Sequence, residues 1–300
     1  MQSPLSLRPG DRVGVLAPAS RVDVTALEPA FATLRSWGLV VEQGPTLLGR
    51  FHQFAGTDAE RAADLQRFLD DDGIRAIFAA RGGYGVSRLL DGLDFSRFLQ
   101  NPKWLIGFSD LTALHAHVNR LGVESLHGPM PKNFGFDPTG FSVETLRRAL
   151  FGEPLRYDLP PHPLNRPGTA TGALTGGNLC LVCHLIGSPS EVDTAGKILF
   201  LEDIGEYHHA IDRYLVQLRR AGKLARLAGL LVGQFSDLKD SAEVPYGIAP
   251  WQMVAEHVAG YNFPVAYNFP VSHEADNWAL VCGREARLDV SAGSVRLVQS

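Results

Sequence analysis

Apolar and polar positions along this chain fall into short blocks, and the blocks predict strands and helices in turn. Residues 12–17 read as a buried strand, broken by Pro18-Ala19-Ser20. Leu27, Phe31, Leu34 and Trp37 share one helical face and predict a helix over residues 25–37, stopped by Gly38, with Val40-Val41 as a short strand after it. Residues 56–69 predict a second helix: Thr57 and Glu60 have capping-box spacing, and Leu65, Phe68 and Leu69 supply the apolar stripe. Asp70-Asp71-Asp72-Gly73 closes it as a solvated turn, without the alternating ligand pattern of a calcium loop. Two apolar runs, residues 74–80 and 104–107, read as buried strands, and residues 125–127 as a shorter one. A helix over residues 111–121 separates the last two, with Leu111, Leu114, Val118 and Leu121 inward.

Strands alternating with helices predict a parallel α/β sheet with ligands at its carboxyl edge. Pro154, Pro160, Pro161, Pro163 and Pro167 then mark a linker, and the expected boundary lies near residue 160, giving domains 1–160 and 161–300. In the second half, strands are expected at residues 169–175, 197–203, 227–235 and 264–268. Helices are expected after Gly176-Gly177-Asn178, over residues 207–221 and over residues 251–258. A terminal hairpin is expected over residues 284–299, turning at Ala292-Gly293.

Composition narrows the partners. The chain has 300 residues, 45% hydrophobic and 20% charged, with net charge −4 and no Lys/Arg block, so phosphate-backbone binding is disfavoured. No apolar run approaches the roughly 18 residues of a membrane span, and residues 1–11 lack a secretory pattern; a cytoplasmic protein is expected. Three cysteines make no disulfide framework. Cys180-Leu-Val-Cys183-His184 matches a haem-attachment spacing, but it lies in an apolar helix, where buried free thiols are the expectation.

The candidate chemistry sits where strands end. Ser109 follows the strand 104–107 and precedes a helix, a turn that exposes a hydroxyl beside helix N–H groups; an ordinary N-cap has the same appearance. Arg81-Gly82-Gly83-Tyr84-Gly85 follows another strand, and its backbone can approach a ligand closely, although its spacing is neither a dinucleotide fingerprint nor a P-loop. Glu202 and His273 also follow strand-like runs. Hydroxyl, imidazole and carboxylate are the parts of a nucleophilic serine site, and Ser, Glu, His is an order such sites use.

Several motifs together resemble one family. They are Gly56-Thr57-Asp58 with Arg61; Arg81–Gly85; Pro102-Lys103 ahead of Gly107-Phe108-Ser109-Asp110; His127-Gly-Pro-Met130; Gly176-Gly-Asn-Leu179; Leu201-Glu-Asp203; and Ile211-Asp-Arg213. The chain is similar, from about residue 10 to 290, to the LD-carboxypeptidases and the related microcin-immunity serine peptidases. The resemblance implies an N-terminal α/β domain related to glutamine-amidotransferase-like folds and a C-terminal swivelling, β-rich α/β domain. It implies Ser109 as nucleophile, Glu202 and His273 completing the triad from the other domain, and the N–H groups of Gly83 and Asp110 as oxyanion hole. It further implies hydrolysis of the amide between the L-centre of a diamino acid and a C-terminal D-alanine in recycled muropeptides, with no metal or cofactor, by a homodimer. Arg81 is a candidate for the substrate carboxylate, with a structural ion pair as its alternative.

Two positions depart from the family pattern: Ser272 where glycine is usual, and Val281 where proline is expected. The segment after Leu179 has no room for the inserted aromatic loop of immunity-type members, which favours the muropeptide branch. Three other readings compete. An α/β-hydrolase esterase lacks support, since residue 111 is leucine where G-x-S-x-G needs glycine. An immunity peptidase acting on a peptidyl-nucleotide predicts an aromatic residue beside the site. A non-catalytic peptide-binding relative predicts binding without turnover.

Overall fold

The computed structural model describes residues 1–300. In chain order the strands are β1 (Arg12–Leu16), β2 (Val40–Gln43), β3 (Ile74–Ala79), β4 (Trp104–Gly107), β5 (Ser125–His127), β6 (Leu155–Leu159), β7 (Gly168–Asn178), β8 (Ile198–Ile204), β9 (Gly229–Ser236), β10 (Val265–Tyr267), β11 (Leu280–Cys282), β12 (Glu285–Val290) and β13 (Val295–Gln299). The α-helices are α1 (Glu28–Ser36), α2 (Asp58–Asp70), α3 (Ser96–Gln100), α4 (Thr112–Arg120), α5 (Phe141–Leu150), α6 (Leu179–His184), α7 (His208–Arg220) and α8 (Pro250–Val258). The fold is mixed α/β in two units. No helix is long and apolar enough to cross a membrane.

The first unit is Met1–Glu153 together with Trp278–Gly283. Its sheet runs β11-β5-β4-β3-β1-β2, parallel except for β11, which lies antiparallel to β5. β3 and β4 are almost wholly buried, which is why they read as unbroken apolar runs. β1 sits where the strand order reverses, so the loops leaving β1 and β3 diverge from neighbouring positions and meet at the carboxyl edge. Ala80 N–H donates to the Leu16 carbonyl (2.8 Å) and Ser20 N–H to the Gly82 carbonyl (3.3 Å). The capping box at α2 forms between Thr57 and Glu60. The triple-aspartate turn is ion-paired rather than merely solvated: Asp71 meets Arg12 at 3.1 Å and Asp72 meets Arg97 at 3.0 Å.

The second unit is Pro154–Asn277 together with Arg284–Ser300. Its sheet runs β10-β9-β8-β7-β12-β13-β6, parallel from β10 to β7 and antiparallel from β7 to β6. The terminal hairpin forms around Ala292-Gly293.

Three features differ from the sequence expectation. The division falls at Pro154 rather than near 160, and it is not a single cut, because Trp278–Gly283 returns to complete the first sheet. The proline-rich run is not all linker: Leu155 and Tyr157 are buried while Arg156 and Asp158 are exposed, a period of two that makes β6 an edge strand between Pro154 and Pro160. β7 also runs through Gly176-Gly177 instead of stopping at Thr175. Gly176 has φ 131°, and its backbone approaches Phe200 so closely that any Cβ would strike it.

Candidate active site

β4 delivers Ser109 in an uncommon backbone state. Gly107 leaves the strand at φ 159° with the Leu111 side chain folded over it, Phe108 is extended, and Ser109 stands at φ 62°. A serine in the left-handed region costs about 1 kcal/mol or more, so its surroundings must hold it there. Buried His115 on α4 does so from below: its Nε2–H donates to the Gly107 carbonyl (2.9 Å), which also accepts from Gly128 N–H (3.2 Å). Burial pushes the His115 imidazole down to about 4, so it is a neutral donor at physiological pH. Asp110 reaches sideways, its carboxylate accepting from Val86 N–H (2.9 Å) and tying the serine turn to the glycine loop.

That loop lies directly against the serine. A Cβ on Gly82 would sit 3.2 Å from Ser109 Cβ, so only glycine leaves the present spacing undisturbed. Gly83, at φ 107°, is exposed, and its N–H has no acceptor within the molecule. The loop is held by Arg61 of α2, which is wholly buried. Its guanidinium donates to the carbonyls of Pro18 (2.5 Å), Gly85 (3.1 Å) and Gly56 (3.2 Å), pairs with Asp58, and lies over the Phe54 ring. Asp58 also accepts from Arg88 (3.0 Å). One arginine thus joins the loops leaving β1 and β3 to the start of α2. Arg81 is half-buried, makes no ion pair, and donates to the Arg21 carbonyl (3.0 Å).

In the second unit, β8 ends in Glu202 and Asp203. Opposite them β9 carries a bulge: Leu201 faces Val232, while Asp203 faces Phe235. The extra residue frees Gln234 N–H to donate to the Val271 carbonyl (3.2 Å), and Gly233 admits Val271 against its backbone. This seats the segment leaving β10 and brings His273 to Glu202, with Nδ1 to Oε2 at 2.7 Å. Glu202 is fully buried and its Oε1 has no partner. Burial pulls the His273 imidazolium down, but Glu202, aided by Asp203 and Asp237, outweighs it and holds His273 above the ordinary imidazole value. A proton on Nδ1 facing the carboxylate leaves Nε2 as the basic nitrogen.

Asp203 points the other way. It accepts from Asn178 Nδ2 (2.7 Å), Ile204 N–H (2.8 Å) and Cys180 N–H (2.9 Å), fastening α6 to the end of β8. Burial and the Glu202 charge push its carboxyl up to about 7 despite those donors. Ser272, one departure from the family pattern, braces the histidine loop: its hydroxyl donates to the Asp276 carbonyl (2.7 Å) and accepts from Glu274 N–H (2.9 Å). Val281, the other, lies in β11 opposite Leu126. Cys180, Cys183 and Cys282 are free thiols, and the Cys183 Sγ–H donates to the Tyr214 carbonyl (3.3 Å).

Of the residues singled out by sequence, then, Gly82 lies against Ser109, the Asp110 side chain holds the loop carrying Arg81 and Gly83, and Glu202 pairs with His273. The supporting roles of Arg61, His115 and Gly233 are new. In the sequence Arg61 is marked only by its place after Gly56-Thr57-Asp58.

Comparison with known proteins bears on this arrangement. Residues 13–128 match the family model of the LD-carboxypeptidase N-terminal domain, and residues 171–288 that of the LD-carboxypeptidase C-terminal domain. A probable murein peptide carboxypeptidase of Bacillus subtilis (strain 168) is 36% identical over 293 residues, spanning 96% of this chain and 92% of that protein. The murein tetrapeptide carboxypeptidase of Pseudomonas aeruginosa is 32% identical over 290 residues, spanning 93% of each. Among solved structures, the muramoyltetrapeptide carboxypeptidase from Oxalobacter formigenes superposes with a TM-score of 0.86 at 28% identity, over 96% of this chain and 98% of that one. The microcin C7 self-immunity protein MccF in complex with aspartyl sulfamoyl adenosine shares the fold, with a TM-score of 0.88 at 21% identity, over 99% of this chain and 98% of that one.

Proposed function

This chain belongs to the LD-carboxypeptidase family, and from that membership we propose that it removes the C-terminal D-alanine from muropeptide stems, cutting the amide on the L-centre of a diamino acid. The observation that carries the proposal is Ser109 itself, a serine held at φ 62° at a strand end with a glycine loop pressed against it. Strain at a serine that neighbouring buried groups maintain is the mark of a positioned nucleophile.

In this reading Ser109 Oγ attacks the scissile carbonyl and His273 Nε2 takes its proton. Glu202 keeps the imidazole in the required tautomer and stabilises the imidazolium. The N–H groups of Gly83 and Asp110 receive the developing oxyanion. Collapse expels D-alanine, whose amine takes the proton back from His273. Water, activated by the same imidazole, then releases the acyl group from Ser109. Arg81 binds the substrate's terminal carboxylate. The chemistry uses no metal and no cofactor. The relatives named as murein carboxypeptidases support a murein peptide as substrate; in this reading the protein works in peptidoglycan recycling, in the cytoplasm, as a homodimer.

The test is mass spectrometry of a stem tetrapeptide ending in D-alanine, incubated with the wild-type protein and with Ser109→Ala, and with the L-alanine isomer as control. Loss of one alanine from the D-isomer alone, abolished in the variant, is expected. Absence of cleavage of either peptide overturns the muropeptide reading.

A further inference from the structure

The first unit carries a cation that neither the motifs nor the triad uses. After β5 the chain passes through Met130-Pro131 into a short turn, and Lys132 N–H donates to the Ala80 carbonyl (3.1 Å). Ala80 immediately precedes Arg81. The backbone therefore sets Lys132 beside Arg81 at the carboxyl edge of β3, and Arg81 leads directly into Gly82, the glycine that touches Ser109. Neither cation is ion-paired, and Lys132 is half-buried. Burial and the neighbouring Arg81 charge both push the Lys132 ammonium down, and no carboxylate offsets them. Other cations of this unit do face an acid: Arg61 and Arg88 meet Asp58, and Arg12 and Arg67 meet Glu42. Two adjacent positive charges without an acid repel one another at a cost that bound anion would reverse.

The substrate supplies such an anion at the required place. In a C-terminal residue the carboxylate carbon is separated from the scissile carbonyl carbon by three covalent bonds of about 1.3, 1.5 and 1.5 Å. A carboxypeptidase must therefore place positive charge within a few ångströms of its nucleophile. We propose that Lys132 and Arg81 together form the clamp for the α-carboxylate of the departing residue, and that Lys132 makes this site an exopeptidase rather than a general amidase. Arg81 offers the planar fork and Lys132 the point charge, one on each side of the anion. The proposal rests on the carboxypeptidase reading above and adds a specificity determinant to it.

The test compares the D-alanine-ended tetrapeptide with its C-terminal amide, using the full-length protein, Lys132→Met and Lys132→Arg. The wild type is expected to prefer the free acid in kcat/KM by roughly tenfold to hundredfold, the range of a hydrogen bond to a charged group. Lys132→Met is expected to lose most of that preference, chiefly through KM for the acid, with turnover of the amide unchanged. Lys132→Arg is expected to restore it. A merely structural lysine would instead lower turnover of acid and amide alike. A wild-type ratio near one overturns the clamp without recourse to any variant, and so does an unchanged ratio in Lys132→Met. Wild-type protein that cleaves neither substrate overturns the carboxypeptidase reading itself.

Discussion

The two units hold their candidate reactive groups by different physical means. In the first, the preparation is conformational: Ser109 is held in a costly backbone state by a buried histidine, a tethering carboxylate and a glycine loop, which an arginine gathers through carbonyl oxygens. In the second, it is electrostatic. Neither Glu202 nor His273 has a positive φ, and what is unusual is a fully buried carboxylate set against one imidazole. Strain fixes where a nucleophile points, and a buried charge fixes which proton a base carries. Perturbing the two units should therefore fail in different ways.

The largest effect is expected at the strained residue. Ser109→Gly should abolish turnover of the tetrapeptide, a loss of about ten-thousandfold or more. It should also raise stability to urea by about 1 kcal/mol, because glycine tolerates positive φ. A dead variant no more stable than wild type would count against stored strain. Next comes Glu202→Gln, expected to lower kcat about a thousandfold or more. A neutral base is needed, so activity falls as pH drops through the His273 pKa, which Glu202 holds above the ordinary value. Without that charge burial dominates, and the acid limb of the kcat/KM profile should move to lower pH. A limb that stays put would show that Glu202 does not set the charge on His273.

A smaller loss, about a hundredfold in kcat, is expected for Gly233→Ala, because the new methyl would collide with the Val271 carbonyl and shift the segment carrying His273. Wild-type activity in the variant, with His273 unmoved in its crystal structure, would refute the bulge as its support. The smallest effect belongs to His115. Its folded pKa of about 4 lies below the unfolded value of about 6.5, so the unfolded chain binds the extra proton, and stability present above pH 6.5 is lost on acidification. Urea melts should show wild type losing about 2 kcal/mol more than His115→Gln between pH 7 and pH 5. Parallel losses would mean that His115 does not stay neutral.

The legible parts of this chain are those written in contiguous residues. Buried parallel strands such as residues 74–79 and 104–107 are apolar runs, and a serine between such a run and a helix reads as a candidate at once. β6 was masked because alternating Leu155 and Tyr157 lie among prolines. β11 is only three residues long, and its partner β5 is some 150 residues away in sequence. α5 carries its buried face on Leu146, Ala149 and Leu150, too few apolar positions to mark a helix before the structure is seen. The bulge at Gly233 hides inside an unbroken apolar run, since register is a property of the neighbouring strand. Arg61 and His115 show the same limit at the site. A polar residue on a helix does not announce which carbonyls it will meet.

The return of residues 278–283 to the first sheet bears on how the chain is made. β5 gains its antiparallel neighbour only when Leu280–Cys282 has been synthesised, after nearly the whole second unit. Until then the nascent first unit emerges from the ribosome with β5 as a bare edge, open to pairing with other chains. A nascent chain arrested after residue 153 should be readily cut by protease, and one extended through residue 300 should resist. The first unit thus becomes whole only after the strand at Leu280–Cys282 has been made.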